Sequence, residues 1–199
     1  MKISALALAP ALVLIMVTTC TAPVQAKPAA SLQKSAVANN AKSCSDFVQN
    51  FYNWYVVQMN LKTGPASLDK ILTMKPQSFS AELAKQLKAD SAASAKVKDE
   101  IVGLDFDPIL ATQSDTNKYV AGAVTTKGAT YLVPMFDRTE NKIAKEPAVT
   151  AELIYSNGNF VFTNFHYQKT DIPVNENLLG RLKTLRDDRA KYDREHKKK

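Results

Sequence analysis

The 199-residue chain has few of the residues from which metal and nucleophile sites are built: two cysteines, two histidines and one tryptophan. The ligand spacing of a zinc site is absent. So are a phosphate-binding loop, a nucleophile elbow and the chain order of a Ser-His-Asp triad. The sequence therefore supports no catalytic residue, no metal and no cofactor, and we do not expect an enzyme.

A short apolar run opens the chain. Lys2 supplies a positive charge, residues 3–17 are apolar, and Val24-Gln25-Ala26 offers a small-x-small cleavage site. The run is shorter than the roughly 20 apolar residues of a permanent membrane anchor. We therefore predict a signal peptide over residues 1–26 and a mature protein that is periplasmic or secreted. That compartment excludes ATP, nicotinamide cofactors and nucleic acid as partners.

Cys20 leaves a second processing route open. The segment Val17-Thr18-Thr19-Cys20 resembles the lipidation site of bacterial lipoproteins, although those sites usually carry Gly, Ala or Ser where Thr19 stands. Lipid attachment would make a membrane-anchored lipoprotein, whereas cleavage after Ala26 removes Cys20. Cys44 is then the one remaining cysteine, either buried or available to bridge a dimer.

The formal net charge of +7 is concentrated at one end of the chain. Residues 181–199 hold nine lysines and arginines against four acidic residues, and Lys2 belongs to the signal. The rest of the chain is close to neutral, which argues against a nucleic-acid-binding surface. The basic tail, residues 193–199, is either a solvated charge run or a contact to anionic lipid or cell-wall polymer.

Residues 27–42 are rich in Ala, Ser, Asn and Lys, which predicts a flexible linker. Structure is expected to begin with a helix at residues 43–46. A short helix follows Gly64-Pro65, a third is capped by Ser80, and a last one is capped by Asn175 or Asn177. Helical spacing marks their inner faces: Phe47, Phe51, Trp54, Tyr55 and Met59; Leu68, Ile71 and Leu72; Leu83 and Leu87; Leu178, Leu182, Leu185 and Tyr192.

Between the third and last helices the residues change to β-branched and aromatic types. Four strands are predicted, joined by turns at Lys127-Gly128 and Asn157-Gly158: residues 119–126, 130–136, 148–155 and 159–167. We therefore predict a single α+β domain over residues 43–192. Its N-terminal helices pack on a curled four-stranded antiparallel sheet, and a C-terminal helix closes a cone-like shape.

Four segments occur in an order that is similar to one bacterial exported family, the domain of unknown function 3828. They are Phe51-Tyr52-Asn53-Trp54-Tyr55, Phe79-Ser80-Ala81-Glu82-Leu83, Asp105-Phe106-Asp107-Pro108 with Gln113, and Asn159-Phe160-Val161-Phe162. The resemblance covers about Cys44 to Arg186. It implies export and a nuclear transport factor 2-like (cystatin-like) fold, and it implies no catalytic residue.

The aromatic helix is the first candidate site. In a cone-like fold Phe51, Trp54 and Tyr55 would line the space between the helix and the sheet, where they would stack on a small apolar or aromatic ligand. Ordinary core packing explains the same spacing.

Two polar candidates remain. Asp105, Asp107 and Asp115, with Gln113, form an acidic turn whose spacing does not match a calcium loop, and turn hydrogen bonds explain it equally well. His166 shares a strand face with Phe162 and Asn164 and would move a proton if Asp105 or Asp107 lay beside it.

We therefore expect a non-enzymatic exported module that binds a small apolar or aromatic ligand or a protein partner. One alternative is an interaction or immunity protein that blocks a toxin or enzyme. Another is a proton-transfer enzyme built on His166 and a carboxylate.

Overall fold

The computed structural model describes residues 29–64, 66–96, 103–113, 118–140, 142–167 and 177–196. The predicted signal peptide, with Cys20, lies outside these residues, as do residues 197–199 of the basic tail. Within the described ranges, no helix is both long enough and apolar enough to cross a membrane.

The first helix, α1, begins earlier than the sequence indicated. It spans Ala29–Met59, so the helix start expected at residues 43–46 lies inside it. Residues 29–42, which we expected to form a linker, are helical and continue into the packed part of α1. The reason is compositional, because alanine, lysine and glutamine favour helix once a packed segment has nucleated it.

Three further helices follow in the part of the chain that the structure describes, and serine or asparagine side chains cap each of them. They are α2 (Leu68–Met74), α3 (Ala81–Ser94) and α4 (Leu178–His196), with a short 3-10 helix at Pro76–Ser78. The hydroxyl oxygens of Ser67 and Ser80 accept the amides of Lys70 and Leu83. Asn177 caps α4, since its side-chain oxygen accepts the amide of Gly180 at 2.9 Å.

The buried faces of these helices follow the predicted spacing, with one exception. Ile71, Leu72, Leu83, Leu87, Leu178 and Leu182 are buried. Tyr192 is instead 58% exposed and stacks on the imidazole of His196, with ring centroids 4.0 Å apart. The inner face of α4 therefore ends well before Tyr192, and the end of the helix extends into solvent.

Within the described residues, one antiparallel sheet of six strands carries the helices. Its strands are β1 (Lys118–Ala121), β2 (Thr125–Lys127), β3 (Thr130–Thr139), β4 (Lys142–Ile143), β5 (Val149–Ser156) and β6 (Asn159–Tyr167). The long β3 has β1 and β2 along one edge and β4 and β5 along the other, and β6 pairs with β5. The expected meander of antiparallel neighbours is present, but the predicted count of four strands is wrong.

Of the two extra strands, one is the short β4, and the other arises because the first predicted strand is broken. Residues 122–124 stand between β1 and β2, opposite only Val133 and Pro134 of β3. Pro134 has no amide hydrogen to donate to the neighbouring strand. Because three residues of that strand face two of β3, the extra residue forms a bulge-like bend. A Cβ on Gly122 would lie 2.6 Å from the Phe136 ring, so the bend requires glycine.

The core lies between one face of the sheet and the helices, and Phe51 is its centre. The Phe51 ring contacts five other aromatic rings at centroid distances of 4.7–6.2 Å: Tyr52, Trp54, Tyr55, Phe79 and Phe162. Alternate residues of the strands complete the apolar layer: Val133 and Met135, then Val149, Ala151 and Leu153, then Phe160, Phe162 and Phe165. The aromatic stripe of α1 is therefore largely core, which was the simpler of the two interpretations.

Cys44 belongs to the same core. Its side chain is buried in α1, and burial raises the pKa of its thiol to about 12. The buried alternative for Cys44 is thus the one that the structure favours, because a bridge to a second chain needs an accessible thiolate.

The outer edge of β1 is covered by a single side chain from α1. The Gln49 amide nitrogen donates to the carbonyl of Tyr119 at 2.9 Å, and its amide oxygen accepts the amide of Ala121 at 2.8 Å. One glutamine therefore pairs with a strand as a neighbouring backbone would. It joins the first helix to the sheet edge while satisfying two backbone groups.

We expect Gln49→Met to lower the free energy of unfolding by about 1–3 kcal/mol, because two strand groups lose their partners while side-chain volume and helix propensity stay similar. Urea denaturation measures the change. Gln58→Met is the matched control, because the side-chain amide of Gln58 forms no hydrogen bond within the described residues. Equal losses in the two variants would contradict the role given to Gln49.

Candidate functional site

The loop of residues 103–113 follows α3 in the described chain and folds back on an aspartate. One carboxylate oxygen of Asp107 accepts the amides of Ile109 and Leu110 at 2.8 and 3.0 Å. The Asp107 backbone closes the loop, because its carbonyl accepts the amide of Ala111 and its amide donates to the carbonyl of Thr112. Ala111 has a φ of 55°, which this tight closure imposes. Asp107 is thus the organising residue of the predicted acidic turn.

Four tyrosines hold this loop in the domain, three of them buried and the fourth, Tyr167, half-buried. The hydroxyls of Tyr52, Tyr119 and Tyr167 donate to the carbonyls of Ile109, Leu110 and Pro108 at 2.7, 3.1 and 2.9 Å. The hydroxyl of Tyr55 donates to the second carboxylate oxygen of Asp107 at 2.9 Å. We call these four residues the tyrosine cradle. They come from α1, β1 and β6, so the loop joins one helix to two strands of the sheet.

Burial keeps the cradle protonated. Desolvation raises the pKa of Tyr52, Tyr55 and Tyr167 well above the usual value, and the charge of Asp107 raises them further. The pKa of Tyr119 is raised by the same desolvation, with contributions from Asp137 and Asp107. All four hydroxyls therefore remain hydrogen-bond donors throughout the neutral pH range.

Asp107 itself is under two opposing influences. Burial raises the pKa of its carboxyl, whereas the amides of Leu110 and Ile109 and the Tyr55 hydroxyl lower it. Desolvation is the larger influence, so the pKa of Asp107 lies above its ordinary value of 3.8. The folded protein therefore stabilises the protonated form of Asp107 relative to its carboxylate more than an exposed site would.

An open cleft of about 380 Å³ lies beside the cradle. Its polar groups are the Tyr55 hydroxyl, the hydroxyls of Ser91 and Ser94, and the carboxylates of Asp90 and Asp107. The apolar lining comes from α1, from the start of α2 and its preceding turn, and from the loop: Met59, Ala66, Leu68, Leu104, Phe106 and Pro108. Polar and apolar side chains contribute about equally to this lining, so the cleft offers hydrogen-bonding groups beside an apolar surface.

Asp90 anchors the wall of the cleft on α3. One of its carboxylate oxygens accepts from Arg189 of α4 at 2.7 Å, and the other accepts the amide of Leu104 at 3.0 Å. A Cβ on Gly103 would lie 1.9 Å from the Ser94 hydroxyl oxygen, so only glycine lets the chain pass so close to α3. Asp90 is therefore a positioning residue that joins the last helix, the third helix and the loop.

A second concavity lies on the face of the sheet that does not carry the core. It measures about 340 Å³ and is lined by Lys127, Thr130, Leu132, Thr150, Glu152 and His166. We call it the open-face pocket. The His166 imidazole nitrogen Nε2 lies 2.6 Å from Glu152 Oε2, and the Thr163 hydroxyl donates to Glu152 Oε1 at 3.0 Å. A bulge in β6 opposite Glu152 and Leu153 brings Thr163 to this carboxylate.

The structure brings some of the predicted site residues together and separates others. Tyr55 and Asp107 meet directly, which joins the aromatic and acidic candidates. Phe51 is buried in the core, and Trp54 is half-buried, with the Lys75 ammonium 5.1 Å from its ring centroid. Neither lines the cleft.

The remaining polar candidates divide in the same way. Asp105 is exposed, and its carbonyl accepts the Gln113 side-chain amide at 3.0 Å. Asp115 lies outside the described residues. The carboxylate beside His166 is Glu152 rather than Asp105 or Asp107, which corrects the expected pairing. In the described ranges, no three His, Cys, Asp or Glu side chains are grouped closely enough to hold a metal ion.

Sequence reasoning missed Tyr52, Tyr119 and Tyr167 as site residues, together with Asp90 and Glu152. A usable signal existed for the tyrosines, because a tyrosine at a buried position needs a partner for its hydroxyl. The carbonyls of an irregular loop are natural acceptors. Asp90 and Glu152 carried no such signal, since acidic residues in a helix or a strand are usually exposed.

No family model, curated protein or solved structure matches this chain. The similarity to the exported family therefore stays a prediction. The cleft beside the tyrosine cradle and the open-face pocket are the two features that bear on function.

The raised pKa of Asp107 predicts a pH-dependent stability difference between the native protein and Asp107→Asn. A carboxyl whose pKa is raised on folding contributes stability below its unfolded pKa, about 3.8, and loses it as the pH rises through the folded pKa. Asparagine has no charge to bury. We therefore expect the stability of the native protein, relative to the variant, to fall as the pH rises above about 3.8, the unfolded pKa.

Urea denaturation of both proteins at several pH values measures this difference. Asp105→Asn is the matched control, since Asp105 is an exposed carboxylate of the same loop. If the difference in the free energy of unfolding between the native protein and Asp107→Asn stays constant with pH, burial does not destabilise the charged form of Asp107.

Proposed function

We propose that this protein is an exported, non-enzymatic module that binds a small apolar or aromatic ligand in the cleft beside the tyrosine cradle. The observation that carries the proposal is the cleft lining, in which Tyr55 and Asp107 meet the apolar side chains of Met59, Leu68 and Phe106. Export is supported by the signal-like residues 1–26, with Cys20 as the alternative point of lipid attachment.

We also propose that the chain is a member of the exported family domain of unknown function 3828, with a cone-like fold of the nuclear transport factor 2-like type. The support is the order of elements, with helices first, an antiparallel sheet next and a closing helix. Three of the four segments of the resemblance supply residues to the Phe51 cluster, namely those around Phe51, Phe79 and Phe162.

The ligand chemistry follows from the cleft. Thioether, aliphatic and aromatic side chains accommodate a flat apolar body. The serine hydroxyls and the Asp107 carboxyl accept hydrogen bonds, so a ligand with one hydroxyl or amine donor fits better than a pure hydrocarbon. Phenol, indole and benzylamine are therefore suitable probes.

We expect these probes to shift the backbone amide resonances of residues around Ala66, Ser91 and Leu104 in heteronuclear NMR spectra. Ser91→Phe fills the cleft and should weaken binding roughly tenfold, since the ligand loses most of its apolar contact area. Ala92→Phe is the matched control, because Ala92 is the exposed neighbour on the same helix, and it should change affinity less than about twofold.

Two outcomes would contradict ligand binding in the cleft. One is an absence of shifts at all three positions with every probe. The other is an equal loss of affinity in Ser91→Phe and Ala92→Phe, with both variants folded as judged by their thermal denaturation.

A second candidate function is proton transfer by His166. It is favoured by one observation, the contact of 2.6 Å between His166 Nε2 and Glu152 Oε2, with Thr163 holding the carboxylate. A histidine oriented by a carboxylate is the usual arrangement of a general base. The open-face pocket beside it would admit a substrate.

The chain has two histidines, which supplies an internal control. If the dyad is catalytic, the protein should exchange α-protons of small ketones in deuterated water or hydrolyse p-nitrophenyl acetate. His166→Gln should lower that rate about a hundredfold, whereas His196→Gln, in the exposed end of α4, should not. Equal rates in the two variants would contradict this candidate.

A further inference from the structure

The open-face pocket is built by strand register rather than by loops. Leu132 stands opposite Glu152, Thr150 opposite His166, and Lys127 opposite Thr130. Residues in register share a face of the sheet, so these six side chains project from the same side of β2, β3, β5 and β6. A pocket on paired strands is held more rigidly than one on loops, which favours a defined ligand.

Some polar side chains of the pocket have partners within the protein and others have none among the described residues. Glu152 is engaged on both oxygens, by His166 and by Thr163. Lys127 forms no ion pair with any acidic side chain in the described ranges. The hydroxyls of Thr130 and Thr150 also have no side-chain hydrogen bond within the part of the chain that the structure describes. Beside the His166–Glu152 pair, the pocket thus presents one cation and two hydroxyls around an apolar floor, Leu132.

We propose that the open-face pocket binds a small organic anion, whose carboxylate pairs with Lys127 and whose apolar body lies on Leu132. Thr130 is the cross-strand neighbour of Lys127, so its hydroxyl lies where it donates to the same carboxylate. Thr150 and the imidazole of His166 form the opposite end of the pocket.

The spacing of the strands sets the size of the ligand. From β2 to β6 the pocket crosses three strand intervals, or about 14 Å. Long side chains reach inward from both ends, which leaves room for a chain of about six carbons. This inference goes beyond the proposed function, because it concerns another face of the sheet and a charged ligand, and it holds whether or not His166 moves a proton.

Hexanoate is the probe, and hexanamide is its uncharged counterpart. Titration of the full chain, followed by backbone amide shifts, should place hexanoate at Lys127, Leu132 and Thr150, with hexanamide binding more weakly. Lys127→Gln should weaken hexanoate binding about threefold, the size expected of an accessible ion pair. Lys142→Gln, an exposed strand lysine outside the pocket, should leave binding unchanged.

A third variant separates charge from structural damage. Glu152→Gln removes the one negative charge of the pocket, so it should strengthen hexanoate binding while Lys127→Gln weakens it. Opposite effects of the two variants would support the site. Equal binding of hexanoate and hexanamide, or equal effects of Lys127→Gln and Lys142→Gln, would overturn it.

Discussion

The architecture depends on one constraint, namely that a polar loop can enter the domain only if its backbone groups find partners there. The loop of residues 103–113 brings three consecutive carbonyls, from Pro108, Ile109 and Leu110, into a region of aromatic side chains. An unpaired carbonyl in such a place costs about 1–3 kcal/mol, so the tyrosine cradle is a condition for the loop's position. The cleft exists because that loop, rather than an aliphatic layer, closes the space beside α1.

The same constraint explains why Phe51 is packed in the core while its neighbour Tyr55 reaches the cleft. Phe51 packs on other rings from the first helix, the turn before α3 and the last strand. Tyrosines extend that packing toward the loop and end it with hydroxyls. The core therefore ends where the tyrosine hydroxyls begin. Tyr55 lies at this boundary, because its ring contacts Phe51 while its hydroxyl contacts Asp107.

Sequence patterns predicted the parts of the fold that depend on local periodicity. The spacing of Phe51 and Tyr55 predicted a buried helix face, and the β-branched and aromatic residues of 148–155 predicted β5 to within a residue. Patterns did not predict the break at Gly122, because that break depends on the missing amide of Pro134 in the neighbouring strand. They also paired His166 with the wrong carboxylate. Glu152 reaches the imidazole through strand register and a bulge at Thr163, and neither is visible in a single segment.

The glutamine bridge from α1 to the edge of the sheet has a consequence for association between chains. Because the Gln49 amide occupies the Tyr119 carbonyl and the Ala121 amide, a foreign strand that approaches β1 has to displace that side chain before it can pair there. On that side of the sheet it meets only β2, which is three residues long. Growth of the sheet by templated strand addition, the first step toward fibrils, is thereby restricted at this edge.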